Sequence, residues 1–488
     1  MKSFRVAGAA AAFLLGAGAA TAADLPLPAP AEVYKTPAVL PPTVSWTGFY
    51  GGVGFGDGLW NADTTVQSPT GVPVVGTNTQ GGRGWFGQAV TGFDYQINDR
   101  FVAGVLADFS YGDTSGTFSD PNLGASGTLK EISAWAAGAR VGWLFTPELL
   151  SYVSGGFTQT HFNGVNLSTA AGAPFGSLPS HTYSGWFIGG GLETTFPLLG
   201  NGWFLRTDYR FSQFESASLA EVGPAGGVVD IQTLHPYVQT ATVDLIYKFN
   251  SAPAGGSGSL TSFIADFFRA PQGPSPWTGF YVAGGGGYGT WNADTSSQSP
   301  AGVSISGAGT QGGRGWFGTV NAGFDYQLTS RIVVGAFGDF DFADITGTFQ
   351  DQNPTPTGTI AGTLTENWAW AGGVRAGWTV TPQILSYYDV GFTQAAFSGV
   401  GLTGNTSANL GAPVANLGSH TYNGWFLGSG LEMALPFIGR GWYGRVEYRY
   451  SEYENANIPE LATGGGVRDI VAIRPNLQTV RTELIYRF

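Results

Sequence analysis

The chain reads as an all-β protein: a transmembrane antiparallel up-and-down β-barrel fold in two tandem eight-stranded units. Three observations predict this. One unit of about 200 residues is written twice, its apolar residues alternate with a period of two, and its aromatic residues recur at an interval that matches the height of a lipid-facing band.

The repeat is direct. Trp46-Thr-Gly-Phe-Tyr50 returns as Trp277-Thr-Gly-Phe-Tyr281, Gln80-Gly-Gly-Arg-Gly-Trp-Phe-Gly87 as Gln311-Gly-Gly-Arg-Gly-Trp-Phe-Gly318, and Leu245-Ile-Tyr-Lys-Phe249 as Leu484-Ile-Tyr-Arg-Phe488. The offset is 231 residues as far as Asp120/Asp351, 235 from Thr128/Thr363 and 239 from His181/His420. Two four-residue insertions therefore separate the copies, and loops are expected to absorb them.

Residues 1–22 have the pattern of a signal peptide: Lys2 and Arg5, an apolar stretch from Val6 to Ala20, and small residues at Ala20-Thr-Ala22. Residues 23–45 form a Pro-rich periplasmic lead, 46–249 the first barrel unit, 250–276 a linker and 277–488 the second unit. No later stretch is long and apolar enough for a helical span. Cysteine is absent, so neither disulfides nor thiol ligands contribute. Charged residues make up 11% of the chain, aromatics 14%, and glycine fills 78 positions, a composition suited to a sheet facing lipid. A net charge of −12 argues against nucleic acid as a partner.

Along the strands, Trp85, Ala89, Phe93 and Tyr95 oppose Gln88, Gly92, Asp94 and Gln96, and Val243, Leu245 and Tyr247 oppose Thr242, Asp244 and Lys248. Trp85 to Tyr95, Trp135 to Phe145 and Trp186 to Phe196 are each 10 residues apart. At about 3.3 Å per residue and a tilt of about 40°, that interval spans about 25 Å, the lipid-facing height of an outer-membrane barrel. An aromatic girdle is expected from Trp85, Tyr95, Trp135, Trp143, Trp186 and Trp203, and from Trp316, Trp378, Trp425 and Trp442. Short connections at Asn98–Arg100, Thr146–Glu148 and Pro197–Gly202 alternate with long ones at Asn61–Gly82, Ser119–Gly127, Gly164–Ser180 and Glu215–Gln232. This is the pattern of periplasmic turns and external loops.

These residues make each unit similar to the small outer-membrane β-barrel proteins of alphaproteobacteria, the immunogenic-protein and opacity-type "porin family". The resemblance rests on Ala23-Asp-Leu-Pro26 with its Pro-rich lead, Trp46-Thr-Gly-Phe-Tyr50 and the terminal Phe488. It implies eight-stranded barrels, surface exposure, outer-membrane lipid and lipopolysaccharide as surroundings, and Phe488 as a signal to the outer-membrane assembly machinery. It implies no substrate or cofactor, and the oligomeric state stays open.

The inner faces carry Asp94, Asp108, Arg140, Glu193, Arg206, Asp208, Arg210, Asp244 and Lys248 in the first unit. The second has Asp325, Asp339, Arg375, Asp389, Glu432, Arg445, Glu447, Arg449, Arg481, Glu483 and Arg487. An eight-stranded barrel has room inside only for side chains, and a buried charge needs a partner. Counting across the hairpin turns sets Glu193 opposite Arg206, Glu432 opposite Arg445 and Arg375 opposite Asp389. The expectation is a salt-bridged lumen that closes or nearly closes each barrel. The rival is a water-filled, charge-lined channel, and duplication also permits one 16-stranded general porin. Gly284-Gly-Gly286-Gly-Tyr-Gly289 matches a dinucleotide-binding pattern, yet no helix is expected after it. The histidines His161, His181, His235 and His420 raise a hydrolase only as an unlikely alternative, and no cluster has metal-ligand spacing.

Overall fold

A computed structural model describes residues 44–120, 122–169, 171–196, 199–249, 269–270, 276–305, 309–351, 353 and 359–488. The expected signal peptide, most of the expected Pro-rich lead and most of the expected linker lie outside the described residues.

The first unit contains β1 (Gly48–Gln67), β2 (Pro73–Gln96), β3 (Phe101–Asp120), β4 (Ala125–Thr146), β5 (Leu149–Phe162), β6 (Val165–Thr169), β7 (Pro174–Leu178), β8 (His181–Thr195), β9 (Trp203–Phe214), β10 (Ala217–Val222) and β11 (Val228–Lys248). Antiparallel pairing runs β1–β2–β3–β4–β5–β8–β9–β11. The ring closes where β11 pairs with β1, from Tyr50 opposite Lys248 to Gln67 opposite Ile231.

The second unit repeats this with β12 (Gly279–Gln298), β13 (Gly309–Gln327), β14 (Ile332–Gln350), β15 (Ile360–Thr381), β16 (Ile384–Phe397), β17 (Val400–Gly404), β18 (Pro413–Leu417), β19 (His420–Ala434), β20 (Trp442–Tyr453), β21 (Ala456–Ala462) and β22 (Val467–Arg487). Its seam is β12 with β22, from Tyr281 opposite Arg487 to Gln298 opposite Ile470. A 16-stranded barrel requires β11 to pair with β12. Instead each last strand returns to the first strand of its own unit, leaving no open edge in either sheet.

The long connections read as loops are largely strand. In the outer part of the first barrel the wall passes from β4 to β6, β7, β10 and β11, replacing β5, β8 and β9, so the ring keeps eight members. The second barrel does the same through β17, β18 and β21. Gly, Ser and Thr made these stretches look like coil, but ring closure supplies their backbone groups with partners that local sequence does not reveal. β1 has 20 residues. At about 3.3 Å per residue and a tilt of about 40° it stands about 50 Å tall, about twice the lipid-facing height of an outer-membrane barrel.

Candidate functional site

The lumens concentrate the chemistry, and each is filled in three layers. At the periplasmic end of the first barrel Trp46, Tyr50, Val102, Leu144, Leu150, Phe204 and Ile246 form an apolar floor. The indole Nε1 of Trp46 donates to the Pro147 carbonyl at 2.9 Å. Trp277 repeats this with the Pro382 carbonyl at 3.2 Å.

The charged layer lies above the floor. Arg140 donates to Asp94 at 2.5 Å and to Glu193 at 2.9 Å. Glu193, opposite Arg206 in register, also accepts from Arg206 at 2.8 Å and from Lys248 at 2.9 Å. Lys248 reaches Asp94 at 2.6 Å. The Arg140 guanidinium lies 4.8 Å from the ring centres of both Tyr50 and Tyr152, so its faces meet π systems while its edges meet carboxylates. A second tier pairs Arg210 with Asp108 at 2.6 Å, Tyr152 with Asp208 at 2.6 Å and Gln88 with Asp244 at 2.6 Å.

In the second barrel Arg375 meets Asp325 and Glu432, Arg445 meets Glu432 at 3.2 Å and Glu483 at 3.0 Å, and Arg487 meets Asp325 at 2.7 Å. Arg449 holds Asp339 at 2.7 Å and Glu447 at 2.9 Å, while Arg481 reaches Asp341 at 3.0 Å. One pairing departs from expectation. Arg375 stands opposite Asp389 in register, but its side chain forks onto Asp325 and Glu432, and both Asp389 carboxylate oxygens lack a hydrogen-bond partner among the described residues. Strand register fixes which backbones face each other. A long guanidinium then selects the carboxylates that fit its planar fork.

The outer layer is apolar again. Trp60, Phe118, Leu129, Phe162, Leu167, Leu178, Tyr183, Phe214 and Leu234 close the first barrel, and Trp291, Phe349, Phe397, Leu402, Leu417, Tyr422 and Tyr453 close the second. Between the charged layer and this cap the first barrel retains a cavity of ≈ 40 Å³, bordered by Glu131, Arg210 and Phe214. That is room for about one or two waters. Ile345, Asp341 and Arg481 occupy the positions in the second barrel where the first has Thr114, Ser110 and Thr242.

Outside, Trp85, Tyr95, Trp135, Trp143, Trp186, Trp316 and Trp425 are exposed and Trp203, Trp378 and Trp442 half-buried. The glycine run Gly284–Gly289 lies within β12, where a Cβ on Gly285 would strike the Thr482 carbonyl of the closing strand. His181 and His420 stack edge-on against Tyr183 and Tyr422 at 4.7 Å, His161 meets Thr182 at 2.9 Å, and His235 stacks on Tyr237.

Sequence reasoning missed a contact between the barrels. Arg83 meets Asp294 at 2.7 Å and Arg314 meets Asp63 at 2.6 Å. Asn61 donates to the Gly313 carbonyl at 3.0 Å, and Asn292 to that of Gly82 at 2.7 Å. Gln80 pairs with Gln311 and Val75 with Thr406 as isolated bridges between the sheets, and the Gly76 amide donates to the Asn405 carbonyl at 2.8 Å. Two signals could have found it. The outward face of the first strand turns polar after Phe55, at Asp57, Asn61 and Asp63, and the octapeptide Gln80–Gly87 recurs unchanged in both copies.

Ring closure, exposed aromatics on the outer face and filled lumens are features of an outer-membrane β-barrel protein. The chain belongs to the outer membrane protein beta-barrel domain family, whose model matches it twice, over residues 9–249 and 264–470. It is 29% identical over 257 residues to the 31 kDa outer-membrane immunogenic proteins of Brucella melitensis and Brucella suis, a match covering 51% of this chain and 100% of each relative. Among solved structures, a Pseudomonas aeruginosa FadL homologue overlaps 90% of each chain at 12% identity and a TM-score of 0.28. Ail, the attachment invasion locus protein of Yersinia pestis, overlaps 42% of this chain and 99% of its own at 16% identity and a TM-score of 0.22. Overlaps this loose carry no functional inference.

Proposed function

We propose that this outer-membrane protein is a closed, surface-exposed structural element of the envelope with at most narrow pore activity. One observation carries the reading: in both barrels a layer of paired charges lies between two apolar layers, and the cavity inside the first holds only ≈ 40 Å³. Hydrated solutes need a continuous aqueous path, and a general porin obtains one from a wider ring of strands. The Brucella relatives are named immunogenic outer-membrane proteins, which supports surface exposure here. No catalytic role belongs to this reading. The histidines meet rings and hydroxyls, and none forms an ion pair with a carboxylate among the described residues.

Export through residues 1–22 and reading of Phe488 by the assembly machinery complete the proposal. Phe488 is exposed, meets Tyr486 edge-on at 5.2 Å, and its amide donates to the Phe280 carbonyl at the closing seam. The test is conductance of the purified full chain in planar bilayers. Absent or very small steps are expected; large, stable, porin-sized steps would overturn the closed reading.

A further inference from the structure

One of the two four-residue insertions that separate the copies falls at the contact between the barrels. Hairpin bonds align the two versions of this loop. In the first barrel the Thr169 amide donates to the Ala173 carbonyl at 2.9 Å and the Gly172 amide to the Thr169 carbonyl at 2.8 Å. In the second the Gly404 amide donates to the Ala412 carbonyl at 2.8 Å and the Gly411 amide to the Gly404 carbonyl at 2.9 Å. Only Ala170 and Ala171 stand between these anchors in the first copy, against Asn405–Leu410 in the second.

The longer loop reaches the first barrel. The Gly76 amide donates to the Asn405 carbonyl at 2.8 Å, the Ser407 amide donates to the Val74 carbonyl at 3.0 Å, and Val75 pairs with Thr406 between them. Gly76 admits this approach, since a Cβ there would strike the Asn405 side-chain oxygen. The loop is braced on its own barrel. The Thr359 carbonyl accepts the Asn405 amide at 2.9 Å and the Asn409 side-chain amide at 3.2 Å. Asn409 Oδ1 in turn accepts the Thr406 amide at 3.1 Å and the Thr406 hydroxyl at 2.7 Å.

The place it reaches is a sheet edge. At the outer end of β2, Val75 pairs with Val66 of β1, but the ladder with β3 begins only at Arg83 opposite Ser115. Among the described residues, the other edge of Val74–Gly76 has no partner within its own barrel. Unpaired backbone groups on an edge invite an added strand.

We propose that Asn405–Ser407 is a strap: it adds a short strand to the open edge of β2 and locks the second barrel onto the first in one orientation. The remaining contact is reciprocal. Arg83, Arg314, Asn61 and Asn292 occupy equivalent positions of the repeat, so they would join any two units brought together. The strap belongs to the second copy alone and makes the pair directional. The chain between the barrels also holds them at high effective concentration, so the strap's own contribution shows only once that chain is cut.

The test uses the full chain with a protease site inserted in the linker 250–276, folded in detergent micelles and then cleaved. Wild-type halves are expected to co-elute on size exclusion. Deletion of Asn405–Ala408, which restores the loop length of the first copy, should speed their separation at least tenfold. Ser407→Pro, which removes one strap donor without touching either wall, should speed it in the same direction. Heat-dependent gel migration reports whether both barrels are folded, and a deletion that fails to fold leaves Ser407→Pro to decide. Separation at the wild-type rate in the folded variants would overturn the proposal, as would wild-type halves that part as fast as the linker is cut. The chain has no cysteine, so Val75→Cys with Thr406→Cys gives a second measurement that needs no cleavage. Facing residues of an antiparallel pair stand at disulfide distance, and mild oxidation should cross-link them. A folded double variant that does not cross-link would equally overturn the strap.

Discussion

Arg83 of the first barrel forks onto Asp294 of the second, with contacts at 2.7 and 3.4 Å, and Arg314 forks onto Asp63 in the reverse sense. Asp63 and Asp294 are equivalent positions of the repeat, as are Arg83 and Arg314. The contact is therefore isologous, as in a two-fold dimer, but contained within one chain. These side chains leave walls that otherwise face outward, which explains why Asn61 and Asn292 are almost wholly buried on an outer face.

Breaking this contact should uncouple the barrels without unfolding either. Each ion pair is partly exposed, so a double-mutant cycle on Arg83 and Asp294 should return a coupling of about 0.2–1 kcal/mol in chemical unfolding. The exchange Arg83→Asp with Asp294→Arg should recover most of what either reversal loses. Zero coupling at both pairs would remove these two ion pairs from the solution structure and leave the contact to Asn61, Asn292 and the backbone bridges.

Within the first lumen the partners are unequal. Glu193 serves Arg140, Arg206 and Lys248, whereas the ion pair of Arg206 is with Glu193 alone among the described residues. Glu193→Leu should therefore cost about 3–5 kcal/mol, because it strands Arg206 and leaves Arg140 and Lys248 to share Asp94, and Arg206→Leu clearly less, because Glu193 keeps two cations. Urea unfolding in detergent micelles checks the order; equal costs would refute a shared hub.

Trp46 supplies both packing and a hydrogen bond at the periplasmic floor, with the Lys248 ammonium 4.7 Å from its ring. Trp46→Phe should cost about 1 kcal/mol for the lost bond, and Trp46→Ala about 3–5 kcal/mol for the cavity. Comparable losses for the two would mean that the floor is loosely packed.

The acidic cluster of the second cap should be felt in the pH dependence. Burial, then Asp351, lifts the Glu460 carboxyl from its usual 4.5 to about 7 even beside Arg468. The fold thus binds a proton that the unfolded chain has released. Its stabilising effect is complete below about pH 4.5 and fades as pH rises to about 7, by at most about 1.4 kcal/mol per pH unit. Glu460→Gln should flatten this descent in unfolding curves taken between pH 4.5 and 8. A slope unchanged in the variant would assign the proton elsewhere.

Deleting Phe488 should lower the yield of heat-modifiable protein in the outer membrane, measured on membrane fractions. Wild-type yield from the deletion would exclude a terminal signal at this residue.

Much of this architecture was legible residue by residue. The alternation through Val243, Leu245 and Tyr247 sets which face meets lipid, because a strand has period two. Turn counting set Glu193 opposite Arg206 and Glu432 opposite Arg445, because a short hairpin leaves little freedom of register. The same counting did not foresee that Arg375 leaves Asp389 for Asp325 and Glu432, since a flexible side chain can choose among strands adjacent only in the ring.

The sequence by itself determined the repeat, the faces of its strands and the family to which the chain belongs. Those properties are local, written in periodicity and short motifs. Tertiary structure alone decided that each sheet closes on itself, that the Gly-rich outer segments continue the wall, and that Arg83 finds Asp294. It also gathered Asp351, Glu460 and Asp469, which are separated by up to 118 residues in the chain. Each of these depends on pairing between distant strand edges, where closure free energy rather than local propensity selects the partner.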